Sequence, residues 1–305
     1  MSLIRRFRES FFLYSFLRDP VALVSFIITL LLITAGFLSP VIAPHNPYDT
    51  ATIDVLDSEM PPAWMDNGET RFLLGTDSQG RDMLSTILYG TRVSVVIGIG
   101  AVILQAFLGI IIGLLSGYKG GRIDSVLMRI ADVQLSFSTY MVAIFLGAIF
   151  KTLFGVGLYA DVAVPFLIVV IGLAEWPKYA RTVRASVLAE KKLEYVEAAR
   201  VIGLPSSRIM WRHILPNTMT PVLVISTVQV AEAIMSEAAL SFIGLGMPVT
   251  RPSLGSLIKI GFEFIFSGSW WITLFPGIVL VLLILAINLL GDWMRDFLNP
   301  KLYKE

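Results

Sequence analysis

Inside one long apolar stretch stand Gln229, Glu232, Ser236 and Glu237, the residues of this chain whose types and spacing suit chemistry at membrane depth. A charge at the centre of a bilayer costs roughly 2.5–3.5 kcal/mol on insertion scales, so two carboxylates in one span must turn toward water or a partner. The four therefore form a candidate lining for a translocation path. Two other uses of the acids are open: with Asp132 they could relay protons, or Glu237 could reach water at the outer interface or pair with Arg251.

A second set lies on the water side, in residues 194–217. Leu193, Val196, Ala199 and Ile202 recur at helical spacing, with Glu197 and Arg200 on the other side. Gly203 stands where a helix end needs positive φ, and Pro205 follows. Ser206 or Ser207 can cap a second helix over 208–214, which Pro216 is expected to close. Ala198 and Ala199 are small enough for close approach to another protein. Glu197 can make a polar contact with that protein, or with Arg200 about one turn on. The pattern predicts a docking element; the plainer alternative is a solvated connector.

Other chemistries lack their residues. There is no Cys, and His45 and His213 are the only histidines, which leaves little for a thiolate, zinc or His-based centre. No Gly-x4-Gly-Lys-Ser/Thr occurs, so nothing here cradles ATP phosphates. Residues 74–82 (Leu-Gly-Thr-Asp-Ser-Gln-Gly-Arg-Asp) fit neither a P-loop nor an EF-hand, and Asp77 reads as the holder of an Asx-type turn. The expectation is a non-enzyme with no cofactor or metal of its own.

The elements that must position these residues follow from composition. With 55% hydrophobic and 15% charged residues and mean hydropathy +0.76, the chain is far too apolar for a soluble globule. Apolar runs predict six transmembrane helices at 21–43, 93–118, 131–150, 162–180, 218–240 and 270–291. Residues 1–20 precede them and 292–305 follow; 44–90 form an acidic loop, 185–217 the polar loop, 241–268 a further connection, and 91–291 the core. Of the 24 Lys and Arg, 18 fall in the N-terminal segment, 118–130, 175–217 and the tail, and 6 on the other side. The positive-inside rule then puts both termini and the polar loop in the cytoplasm and the acidic insert outside. The prediction is an all-α integral membrane protein.

Glu197-Ala-Ala, three residues, Gly203, nine residues and His213-Ile-Leu-Pro216 resemble the cytoplasmic loop of binding-protein-dependent ABC importers, in the Arg-His-x-Leu-Pro-Asn form of the peptide and nickel branch. Residues 74–82, 117–124, 237–246, 270–277 and 288–296 resemble, in order, segments of the C subunits of peptide permeases. Ser138 departs from the Pro often found there, at the start of the third span. The resemblance implies a type I importer transmembrane fold in the bacterial inner membrane. Glu197, Ala198, Ala199, Gly203, Leu204, Ile214, Leu215 and Pro216 would be the coupling residues. The implied partners are a second homologous permease subunit, two ATPase subunits that bind ATP and Mg, an extracytoplasmic solute-binding protein and membrane lipid, with no nucleic acid. The cargo would be a di- or oligopeptide or, in the same branch, a nickel chelate or opine.

Overall fold

The computed structural model describes residues 11–49 and 53–298; the basic residues expected at 5–8 and 301–304 lie outside these. Helix α1 (Phe11–Arg18) leads into α2 (Pro20–Phe37), which starts because Pro20 presets the helical φ and the Asp19 carboxylate accepts the Val21 and Ala22 amides at 2.9 and 3.1 Å. One more helical turn (Ser39–Ile42) ends in the polar insert. Helix α3 (Met83–Lys119) begins ten residues before the expected span, since Asp82 caps it through the Ser85 amide at 2.8 Å and its first turns are buried against the insert. At 1.5 Å per residue its 37 residues reach about 55 Å, well beyond the ~30 Å hydrocarbon layer.

The insert is clipped to the spans. Asp77 Oδ1 accepts the Gln79 amide at 2.8 Å, the expected Asx turn, and also the Arg81 amide at 3.0 Å. The other carboxylate oxygen takes Arg81 Nε at 2.6 Å, Arg81 Nη1 reaches the Val249 carbonyl at 2.8 Å, and Trp271 Nε1 donates to the Thr76 carbonyl at 3.0 Å. Both Asp77 and Arg81 are buried, so the 74–82 segment is a structural fastening.

The third span departs from expectation. Helix α4 (Gly121–Leu135) and helix α5 (Thr139–Leu153) meet at an 85° bend, with the break inside the 131–150 run. The Ser136 amide and hydroxyl both turn back to the Asp132 carbonyl, and the Ser138 hydroxyl accepts the Tyr140 amide to start α5. Helix α6 (Gly157–Glu190) then extends ten residues past the expected fourth span. It lies close along α3 because Gly109, Gly113 and Gly117 form a stripe against Tyr179, Ala180, Val183 and Val187. A Cβ on Gly113 would fall 2.5 Å from the Ala180 carbonyl oxygen and 2.8 Å from Val183 Cβ, so only glycine permits this contact.

After α7 (Glu194–Val201) comes α8 (Ser206–Ile243), 38 residues long. Pro216 does not close a separate helix as expected. Residues Ile209–Ile214 form a π-helical turn, in which the Leu215 amide bonds the Met210 carbonyl, and this wider turn lets the chain run through Pro216 unbroken. A short helix, α9 (Leu254–Phe264), is started by a capping box of Ser253 and Ser256 and packs against α3, α8 and α10 (Trp271–Phe297). The described residues thus hold five helices able to cross a membrane, and six spans with the bent α4–α5 pair.

Candidate functional site

Helix α7 ends as its sequence dictates. The Gly203 amide bonds the Arg200 carbonyl at 2.9 Å and the Leu204 amide bonds the Ala199 carbonyl at 3.1 Å, with Gly203 at φ 83°, a Schellman arrangement that a Cβ would strain. Its apolar stripe splits. Val196 and Ala199 are buried against Ile209, Met210 and Ile214, whereas Leu193 and Ile202 face outward, Ile202 with Val201 being the most open at 77% and 88% exposure. Ile202 turns out because it is the cap residue, where the chain already leaves the helix axis toward Gly203. Glu197, Ala198, Gly203 and Pro216 are exposed, Leu204 and Leu215 half-buried, and Ile214 fully buried. Glu197 and Arg200 form no ion pair; the Arg200 guanidinium lies over the Tyr118 ring at 5.6 Å.

The two halves of this element are tied by one phenol. Tyr195 OH donates to Glu190 Oε2 at 2.5 Å and accepts from Asn217 Nδ2 at 2.9 Å, while the same Asn217 amide reaches the His213 carbonyl at 3.3 Å. Burial pushes the Tyr195 phenol above its ordinary pKa, and its bond to the Glu190 carboxylate pushes the same way against the opposing Asn217 contact, so it is a neutral donor at physiological pH. Lys191 Nζ bonds the Gly117 carbonyl at 2.7 Å, and Arg184 grips Asp124 with Nε and Nη2 at 2.5 and 2.6 Å. Lys191 thereby ties the start of the element to the end of α3, and Arg184 braces the adjoining end of α6 against α4.

Above it a cleft of about 770 Å³ opens between α6, α8 and α10, lined among others by Lys178, Thr182, Thr220, Gln229, Glu232 and Arg295. Glu232 bonds Lys178 Nζ at 2.5 Å, and Glu175 bonds the same nitrogen at 2.8 Å. Gln229 is buried at the cleft wall, its amide 3.4 Å from Gln105 Oε1. Ser236 is half-buried and outside the lining.

Glu237 is elsewhere, at 0% exposure: Ser94 Oγ donates to it at 2.9 Å and Ser241 Oγ at 2.6 Å. Those hydroxyls in turn accept the Leu254 amide at 3.3 Å and the Met247 amide at 3.0 Å. The expected single polar face of Gln229, Glu232, Ser236 and Glu237 is therefore divided. Successive helical residues turn by about 100°, which puts 237 about 140° around the helix from 232 and about 80° from 229. Glu237 does not pair with Arg251, and Asp132 pairs with Arg181 at 2.5 Å.

Residues 109–304 match the family described as binding-protein-dependent transport system inner membrane component, and residues 10–62 match the N-terminal transmembrane domain of oligopeptide transport permease C. The chain belongs to this family of inner membrane transport components. It is 36% identical over 291 residues to the di/tripeptide transport system permease protein DppC of Pseudomonas aeruginosa, covering 95% of this chain and 91% of that one. It is 33% identical over 292 residues to the oligopeptide transport system permease protein OppC of Bacillus subtilis, covering 95% and 88%. In fold it is similar to an inward-facing structure of the MetNI methionine ABC transporter, with TM-score 0.50 and 19% identity over 71% of this chain and 98% of that one. The permease component thus has a type I ABC importer transmembrane fold.

Three groups in this permease component escaped the sequence reading. Lys178, Glu175 and Arg181 sit in the stretch assigned to the fourth span and the loop after it, and nothing in a one-dimensional pattern showed that they meet α8 and α4. The Gly109–Gly113–Gly117 spacing was a readable signal for close helix packing. Tyr195 and Asn217, 22 residues apart, were within the motif, but their contact requires the chain reversal at Gly203.

Proposed function

We propose that this chain is the membrane-spanning subunit through which short peptides are imported, powered by ATP hydrolysis in separate ATPase subunits that dock on α7 and the turn after it. The observation that carries this reading is the outward-facing apolar pair Val201 and Ile202 on a water-side element otherwise locked to α3, α6 and α8. An exposed apolar patch held rigidly marks an interaction surface. Trp211, half-exposed, lies on the second half of the same element, and the exposed Glu197 and Ala198 complete it, the carboxylate supplying a charge and Ala198 permitting close approach.

A peptide cargo is favoured by the relatives that are peptide permeases, at 33–37% identity over nearly the full chain. In this reading ATP and Mg are bound only by the ATPases, a second permease subunit completes the path, and a solute-binding protein delivers the peptide from outside. Movement of the docked element is carried into α6 and α8 as a rigid-body change between inward- and outward-facing states. The charge asymmetry supports cytoplasmic termini.

The test is Ile202→Glu in the assembled transporter. The variant is expected to keep its membrane level and melting temperature, to lose co-purifying ATPase and to abolish dipeptide uptake. Normal ATPase retention and uptake would remove α7 from the coupling role. For orientation, Ser206→Cys is expected to react with an impermeant thiol reagent only in opened cells, and Glu69→Cys in intact ones; the reverse pattern would invert the topology.

A further inference from the structure

We propose that Glu232, with Lys178 and Glu175, is a receptor for a primary ammonium group in the cleft between α6, α8 and α10, and that its natural occupant is the N-terminal ammonium of the cargo. The second half of that statement rests on the peptide reading above.

Among the described residues, the charges around the site do not balance. Lys178 Nζ stands 2.5 Å from Glu232 and 2.8 Å from Glu175, so a single cation serves two carboxylates and one negative charge is in excess. The Thr139 hydroxyl donates to Glu175 and adds no charge. Arg295, the other cation of the lining, stands 3.3 Å from Asp292 and 3.5 Å from Asp296, so it does not supply the missing positive charge. Arg181 is engaged by Asp132.

The site is also open. Lys178 and Glu232 are 36% and 42% exposed within the cleft, unlike the sealed Glu237. An ion pair this accessible is weakly held and can change partners. Glu232 uses Oε2 for Lys178, and among the described residues its Oε1 has no hydrogen-bond partner. An ammonium has three donors and no acceptor; it can take that free oxygen and the cleft water without displacing Lys178. From Thr220 to Glu232 is about 18 Å along the axis of α8. Apart from Gln229, the wall between them is Pro221, Val224, Ile225 and Val228, which offers side chains of any kind an apolar, undemanding surface. The arrangement recognises what all peptides share and ignores where they differ.

The absence of Cys allows a direct test. Val228→Cys places one thiol on the lining, one turn from Glu232. In inside-out vesicles containing the assembled transporter, the rate of its modification is compared for thiosulfonates with a quaternary ammonium and with a sulfonate head, each normalised to a free thiol. The cationic reagent is expected to be favoured about fivefold, the size of one nearby screened charge. Glu232→Gln should bring the ratio to about one, and Glu232→Asp should keep it above one, since the charge stays within reach. A free dipeptide should slow labelling, and its N-acetyl form should not. A ratio of one that is insensitive to Glu232→Gln overturns the site. Equal protection by the free and acetylated peptides overturns ammonium recognition while leaving peptide transport standing. Protection by a simple alkylammonium but by no peptide keeps the receptor and removes the peptide cargo.

Discussion

Glu232 and Glu237 lie five residues apart on one helix and solve the problem of a carboxylate at membrane depth in opposite ways. Glu237 is sealed, with serine hydroxyls from α3 and from its own helix donating to it, and those hydroxyls accept amides from the chain entering α9. Glu232 is open, with a lysine as counter-charge and a side chain 42% exposed in the cleft. Hydroxyl donors satisfy a carboxylate without compensating its charge, so they tie neighbouring segments together; a lysine shared with Glu175 compensates the charge only in part and leaves an oxygen free. The first arrangement builds structure and the second leaves a surface available for binding. The same division separates Ala199 from Ala198, where one methyl is packed inside the 194–217 element and its neighbour is presented outward.

The comparison breaks most readily at Glu237. Replacement by Ala leaves two buried hydroxyls without their acceptor, each costing about 1–3 kcal/mol, and frees α9 from α8. Glu237→Ala is expected to lower the melting temperature of the purified protein sharply and deplete it from the membrane, with Glu237→Gln retaining much of both, as read by size-exclusion profiles after heating. Unchanged profiles for both variants would show that α9 is held by its apolar contacts alone. Next in size is Ala199→Trp, which forces a large ring between Val196 and the π-helical turn and should cost about 1–3 kcal/mol. Ala198→Trp should leave the melting temperature alone and instead reduce co-purifying ATPase; equal melting losses in the two would erase the distinction between inner and outer methyl. Asn217→Ala removes the link through Tyr195 and is expected to cost about 1 kcal/mol, detected as faster proteolysis within 194–217 rather than as a change in global melting. The smallest effect is expected at Glu232→Gln. A half-exposed pair contributes about 0–1 kcal/mol, so melting should barely move while uptake changes; a loss as large as that of Glu237→Ala would mean that the open pair is a structural tie after all.

Much of this architecture was legible because the bilayer imposes length and polarity on each helix. The runs at 21–43, 93–118 and 270–291 all fall on membrane-length helices, and Gly203 ends α7 in the way its missing Cβ allows. The helix starts were displaced where polar residues cap inside an apolar pattern, as at Asp82, since hydropathy registers lipid and cannot see a cap. Pro216 misled for a related reason: a proline argues against an ordinary helical turn, but not against a π turn that needs no donor there. The bend at 136–138 depends on local side chain to backbone bonds rather than on periodicity. As for the site, the loop motif identified the residues but not their sides, because Ile202 turns out at the helix cap while Ala199 is buried by the π turn packing beneath it. The separation of Glu237 from Glu232 was calculable from helix geometry; which of the two faced the cleft was not, for it depends on Lys178 and the serines of other segments.

The Tyr195 contact with Glu190 and Asn217 has a consequence for anyone exchanging parts between permeases. The natural cut around the loop motif would fall after Leu204, where a helix visibly ends, but a transplant made there would carry the phenol and leave behind the amide it needs. The smallest transferable cassette runs from Glu190 to Asn217. Within that cassette the polar bonds that hold its shape are internal, so a recipient must supply sockets for Lys191 and Arg200, a backbone carbonyl and an aromatic ring, and an apolar wall such as Leu114, Val183 and Val187 provide here.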